Sequence, residues 1–156
     1  MLSRTFLALA AAIPVFGLAG PAMAEGHEHT EADRALMILT SDSLHTQGMA
    51  MILSSAMQQQ GTDLHILLCD GAGELAVEGY ASPEAIATPP ANPAGEVVPE
   101  ALLGRLMGNG AKVDVCAIFL PNTAHDAGDL KAGVGVASPG PIAEMMRDPA
   151  IPVYSF

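Results

Sequence analysis

Two thiols are the residues of this chain best suited to chemistry. Cys116 lies in the run Val113-Asp114-Val115-Cys116-Ala117-Ile118-Phe119, ahead of Leu120-Pro121-Asn122. Cys69 follows the apolar run Leu64 to Leu68 and opens Asp70-Gly71-Ala72-Gly73. A thiolate can attack sulfur, form a disulfide or carry an extra sulfur atom, whereas a buried thiol is a small apolar filler. The residue types leave both readings open. His125, beside Asp126, comes just past the Cys116 run. It is placed to orient or deprotonate a thiol, although a loop histidine is also an ordinary solvated group. Ser41, Asp42 and His45 follow an earlier apolar run and could line the same pocket or serve as turn and cap residues. The Asp70–Gly73 glycines lack the full phosphate-binding fingerprint, and no nucleophile elbow is present.

A second kind of chemistry depends on processing. Arg4 precedes an apolar stretch from Phe6 to Leu18, and Ala22-Met23-Ala24 forms a small-x-small site. These are the marks of a secretory signal peptide, with cleavage expected between Ala24 and Glu25 and the periplasm as the destination, secretion being the lesser option. The new terminus would begin Glu25-Gly26-His27. An amine, two backbone amides and the His27 imidazole can surround Cu(II) or Ni(II) in a square plane, with His29 as a further ligand. The plainer reading of residues 25–33 is a flexible acidic lead-in with incidental histidines.

Composition narrows the function further. The 17 acidic residues face only five Lys and Arg once Arg4 is removed. Such a surface repels phosphate backbones, so no nucleic-acid partner is expected. No stretch after Ala24 is long and apolar enough to span a bilayer, so no membrane insertion is expected after cleavage. The remaining length suits one domain, over residues 34–156, with its own core. Two cysteines in an oxidising compartment ordinarily pair. A domain of this size does not need the bond, so the count alone decides nothing.

The elements that must position these groups are short and well punctuated. Leu36 to Leu39 reads as a buried strand, followed by a cap-rich loop. Met49, Ile52, Leu53, Ala56 and Met57 recur at helical spacing and predict the buried face of a helix closed by Gly61. Leu64 to Leu68 is the second strand. Residues 79–99 hold Pro83, Pro89, Pro90, Pro93 and Pro99, which predict a long loop without regular structure. Pro99 then opens a helix whose apolar face is Leu102, Leu103, Leu106 and Met107, stopped by Gly108-Asn109-Gly110. After the Cys116 strand, residues 122–130 have room for a helical turn and Val134 to Val136 for a strand. Ser138-Pro139 starts a last helix that buries Ile142, Met145 and Met146, and Pro152 to Phe156 forms a final strand. The nine methionines fall mainly at such apolar helix positions and read as core filler. This alternation predicts a three-layer α/β/α domain around a mostly parallel five-stranded sheet. If the Cys69 and Cys116 strands are neighbours, a disulfide can join them. One intervening strand would hold them roughly 10 Å apart.

The order of these pieces resembles the DsrE/DsrF-like family, including its TusD-type sulfur-relay subunits, from about Leu36 to Phe156. The resemblance rests on Ile38-Leu39-Thr40-Ser41, Ile66-Leu67-Leu68-Cys69-Asp70-Gly71-Ala72, and Leu102 to Gly110 running into Lys112-Val113-Asp114-Val115-Cys116. It ends with Pro141-Ile142-Ala143-Glu144 and Val153-Tyr154-Ser155-Phe156. It implies that Cys116 accepts a persulfide and passes it on, as a carrier rather than a turnover enzyme, with no cofactor. It also implies a homo-oligomer that meets a sulfur donor or acceptor protein or a small sulfur compound. The export signal departs from the family's cytoplasmic tRNA-thiolation role and points instead to reduced sulfur compounds or thiol redox chemistry. The proline-rich excursion is a second departure, expected to cover the site or alter an oligomer contact. Two other classes stand beside this one: a Cu or Ni module using the His-bearing tail, and a structural domain with inert buried cysteines.

Overall fold

The computed structural model describes residues 33–91 and 95–156. The expected signal peptide and the His27 and His29 tail lie outside them. In chain order the elements are β1 (Arg34–Leu39), α1 (Leu44–Gln59), β2 (Asp63–Leu68), β3 (Ile86–Ala87), β4 (Glu96–Val97) and α2 (Pro99–Gly108). They continue with β5 (Lys112–Val115), β6 (Val134–Val136), α3 (Pro139–Arg147) and β7 (Val153–Ser155). Short 3₁₀ turns occupy Asp70–Ala76, Leu120–Asn122 and Ala127–Asp129. No described helix is long and apolar enough to cross a membrane.

Five strands form one parallel sheet in the order β6-β5-β2-β1-β7. Its strands are apolar almost throughout because helices cover both faces. On one face Met37, Leu39, Ile66, Leu68, Val113 and Val115 join Met51, Leu103 and Leu106 in the larger cluster. On the other, Leu36 and Leu67 meet only Ala137, Ile142 and Ile151, with Ile38, Cys69, Cys116 and Met145 packed around them. Period-2 alternation along β2 and β5 thus sends the cysteines towards the thinner layer. That layer is α3 alone, so apolar surface stays open there: Ile118 is 72% exposed and Met146 54%.

Four expectations need correction. The Cys116 strand ends at Val115, and Cys116 to Phe119 turn directly into the 3₁₀ segment that holds Pro121. Pro121 has no amide hydrogen for a ladder and favours such a turn. The buried side of α1 consists of Gln47, Gly48, Ala50, Met51 and Ser54, while Met49 and Leu53 are exposed. Apolar residues fall on more than one side of this helix, and the side with Gly48 and Ala50 approaches the sheet, while the expected Ile52 and Met57 pack partly buried against the larger cluster. A Cβ on Gly48 would run into the Ile86 side chain. The proline-rich excursion is not wholly irregular: β3 and β4 pair antiparallel, Ile86 opposite Val97, and both pack on the larger cluster. It is therefore pinned to the α1–α2 side. Finally, Met146 is exposed, because α3 tilts only Ile142 and, partly, Met145 onto the sheet.

Elsewhere the punctuation holds. Pro99 sits in the first turn of α2, Leu102, Leu103 and Leu106 are buried, and Gly110 takes φ +100° just beyond the helix. Ser138 is the N-cap residue of α3, but its hydroxyl makes no capping bond.

Candidate functional site

Parallel register decides where the thiols go. Leu68 lies opposite Val115 on adjacent strands, so the next residues outward, Cys69 and Cys116, stand side by side at the carboxyl edge of the sheet. Both backbones are anchored there. The Cys69 amide donates to the Leu39 carbonyl (2.9 Å) and the Cys116 amide to the Leu68 carbonyl (2.8 Å). The Cα atoms are 5.1 Å apart and the sulfurs are joined in a disulfide. A separation in this range needs no backbone movement to bridge. The carboxyl edge of a parallel sheet is where such folds gather their chemistry.

Close packing of three loops holds the pair. A Cβ on Gly71 would strike Asp42 Cβ at 2.6 Å, and one on Gly73 would strike the Phe119 ring. The glycines after Cys69 therefore let the Cys69 loop press against the loops after β1 and β5. Phe119 is nearly fully buried, and its amide donates to the Cys116 carbonyl (2.9 Å). Gly73→Ala is expected to cost about 2 kcal/mol by overpacking against that ring. The same change should slow re-formation of the disulfide after reduction, because it shifts the Cys116 turn. Urea unfolding together with timed thiol trapping checks both effects. Asp70 sits in the left-handed region (φ 50°) immediately after Cys69, a conformation that Asp tolerates better than most side chains. Lys131 ties the far end of this loop by donating from Nζ to the Leu75 and Val77 carbonyls at 2.8 and 2.5 Å. Burial lowers the Lys131 pKa, while Glu78 and Glu100 act to raise it.

An apolar cleft of about 290 Å³ opens beside Cys116. Cys116 lines it together with Leu67, Ile118, Ala137, Ile142 and Met146, whereas Cys69 does not. A second cleft, with Asp70, Glu74 and Phe119 in its wall, shares Ile118 with the first.

His125 Nε2 lies 3.2 Å from the Glu74 carboxylate, and its ring stacks on Phe119 with centroids 6.1 Å apart. Its ring thus reaches the cysteine turn through Phe119. Ser41 and Asp42 act in loop structure. Ser41 Oγ accepts from the Ser43 amide (3.1 Å), the Ser41 carbonyl accepts from Gln47 Nε2 (3.0 Å), and Asp42 packs against Gly71. His45 is exposed near the start of α1. Among the described residues, no group of three or more His, Cys, Asp or Glu could hold a metal ion.

One pair escapes a reading based on periodicity. His65 on β2 and Asp114 on β5 are both buried, with Nε2 and Oδ2 2.7 Å apart. His65 Nδ1 lies 3.2 Å from Met145 Sδ on α3, and Lys112 Nζ lies 3.2 Å from the Asp114 carboxylate. Asp114 Oδ1 rests where a Gly135 side chain would stand on β6. The pair clips β2 to β5 on the sheet face that carries the cysteines, two residues before Cys116. Its signal in sequence is slight: each is a polar residue inside an otherwise apolar strand.

Comparison with known proteins yields no matching family model and no matching curated protein. Solved structures do match. The YchN protein from E. coli superposes with a TM-score of 0.61 at 16% identity, over 79% of this chain and 99% of that one. MTH1491 from Methanobacterium thermoautotrophicum, described as a protein of unknown function, superposes with a TM-score of 0.56 at 14% identity, over 79% and 98%. These likenesses support a DsrE-like α/β fold, and at such identities they speak for the fold alone.

Proposed function

We propose that the protein binds or relays sulfur, with reduced Cys116 accepting sulfane sulfur as a persulfide. The carrying observation is the cysteine pair at the carboxyl edge of the parallel sheet, with Cys116 lining an apolar cleft. The disulfide is the resting, oxidised form in this reading, and reduction opens the acceptor. The Cys116 thiolate then attacks the outer sulfur of a donor R–S–SH, giving Cys116–S–SH and RS⁻. An S–S bond breaks, another forms, and the donor thiolate leaves. The cleft gives an apolar sulfur compound an open approach to Cys116. The DsrE-like fold supports the reading, and the expected signal peptide supports an exported setting, where disulfides persist.

The test is intact-mass analysis of reduced mature protein exposed to inorganic polysulfide. A Cys69→Ser variant should gain steps of about 32 Da per sulfur atom, removable by dithiothreitol. The Cys69→Ser, Cys116→Ser double variant should gain none. If the Cys69→Ser protein stays at its original mass while folded, the sulfur-binding reading is wrong.

A further inference from the structure

We infer that Cys69 is a resolving thiol, which makes the protein a reductant of sulfane sulfur that ends each round as the disulfide and releases sulfide. The inference rests on the sulfur-binding reading and adds a step to it. Its ground is geometric. Cys69 and Cys116 directly follow the paired residues Leu68 and Val115, their Cα atoms are 5.1 Å apart, and each amide donates to a carbonyl at the end of the neighbouring strand. A persulfide formed on Cys116 therefore carries its inner sulfur within bonding reach of Cys69, without any movement of the backbone. Two thiols so confined react at effective concentrations far above those of a free partner.

The two sulfurs are not equivalent. Cys116 lines the apolar cleft and Cys69 does not, so an incoming sulfur compound meets Cys116 first. Cys69 follows β2, where its amide is tied to the end of β1 and the loop after it is packed through Gly71 and Gly73. This ordering assigns Cys116 as the acceptor and Cys69 as the residue that attacks it.

The chemistry balances. The Cys69 thiolate attacks Sγ of Cys116–S–SH, forming the Cys69–Cys116 bond and expelling HS⁻. The sulfane sulfur gains two electrons and leaves as sulfide, while the two cysteine sulfurs each give up one. A dithiol reductant then reopens the disulfide by exchange and is itself oxidised to a disulfide, restoring both thiols. Such a cycle consumes one dithiol for every sulfide released.

Reduced, desalted wild type mixed with inorganic polysulfide should return to the disulfide mass, about 2 Da below the dithiol form. It should release about one equivalent more sulfide per chain than Cys69→Ser does on loading alone, read by a fluorescent bimane trap. Cys69→Ser should stop at the persulfide, and Cys116→Ser should release little sulfide. Cys69→Ala serves as a second variant, and cooperative unfolding of each reduced protein verifies that it is folded. Wild type that accumulates a lasting persulfide, as Cys69→Ser does, overturns the resolving role and leaves the sulfur-binding reading standing. Absence of persulfide in every folded form overturns both.

Discussion

Reduction of the Cys69–Cys116 bond is expected to lower the unfolding free energy by up to about 4 kcal/mol. The bond closes a loop with a sequence separation of 47 residues. In the chain-entropy description, most of its effect falls on the unfolded chain, which loses the conformations that keep the two ends apart. The β2–β5 ladder sets the two strand ends side by side whether or not the bond is present. The thermal midpoint should fall by roughly 10 °C for a domain of this size. Paired melting curves with and without reductant, followed by thiol alkylation and mass analysis, measure it. A midpoint unmoved by verified reduction would refute the prediction. The reduced protein should nevertheless remain folded, since the larger core cluster on the α1–α2 face does not involve either sulfur. That persistence matters for the proposed cycle, in which the dithiol is the working form.

Asp114→Ala is expected to cost about 3 kcal/mol, the scale for removing one member of a buried, hydrogen-bonded pair. The Asp114 carboxylate receives His65 at 2.7 Å and Lys112 at 3.2 Å, and it fills the space above Gly135. Its loss strands a buried imidazole on β2 and leaves a gap between β5 and β6. Asp114→Asn keeps the shape and an acceptor for His65, so its cost should be the smaller of the two. Urea unfolding of both variants decides the matter, and a loss below about 1 kcal/mol for the alanine change would show that the pair contributes little. The Asn variant also separates structure from chemistry. If Asp114 only holds the strands together, sulfur uptake by a folded Asp114→Asn protein should match that of the wild type.

A third polar tie lies away from the cysteines. Ser82 donates to Glu100 from its amide (2.9 Å) and its hydroxyl (2.5 Å). Burial acts to raise the Glu100 pKa, but these bonds outweigh it and hold the carboxyl below its usual range. A lowered folded-state pKa stabilises the protein above the unfolded value, and that contribution is lost as pH falls through the folded one. The tie fastens the start of α2 to the proline-rich excursion, so acid should loosen that attachment.

Much of the fold is legible in local sequence, for a physical reason in each case. Pro99 and Gly110 bracket α2 because proline suits a first helical turn and glycine the left-handed residue beyond the last. The β-branched and leucine-rich runs of β1, β2 and β5 read as buried strands because helices cover both sheet faces. Less legible are the choices made between equals. Apolar residues fall on more than one side of α1, and packing chose the side with Gly48 and Ala50. The end of β5 was hidden by the apolar Cys116 to Phe119, which continue the composition of the strand after its ladder has stopped.

The cysteine pair shows where that boundary falls. Composition and periodicity by themselves place Cys69 just past one apolar run and Cys116 within another in an α/β domain, because burial pattern and turn residues are properties of a few consecutive positions. They leave the pairing open, since strand adjacency depends on how α1, α2 and α3 pack against the sheet. Only the tertiary structure makes β2 and β5 neighbours, sets Cys69 beside Cys116, and leaves the side covered by α3 thin enough for a cleft to reach Cys116. It likewise brings His65 to Asp114 across two strands that local sequence cannot pair. Which residues could react is a local matter; which residues meet is decided by contacts between distant parts of the chain.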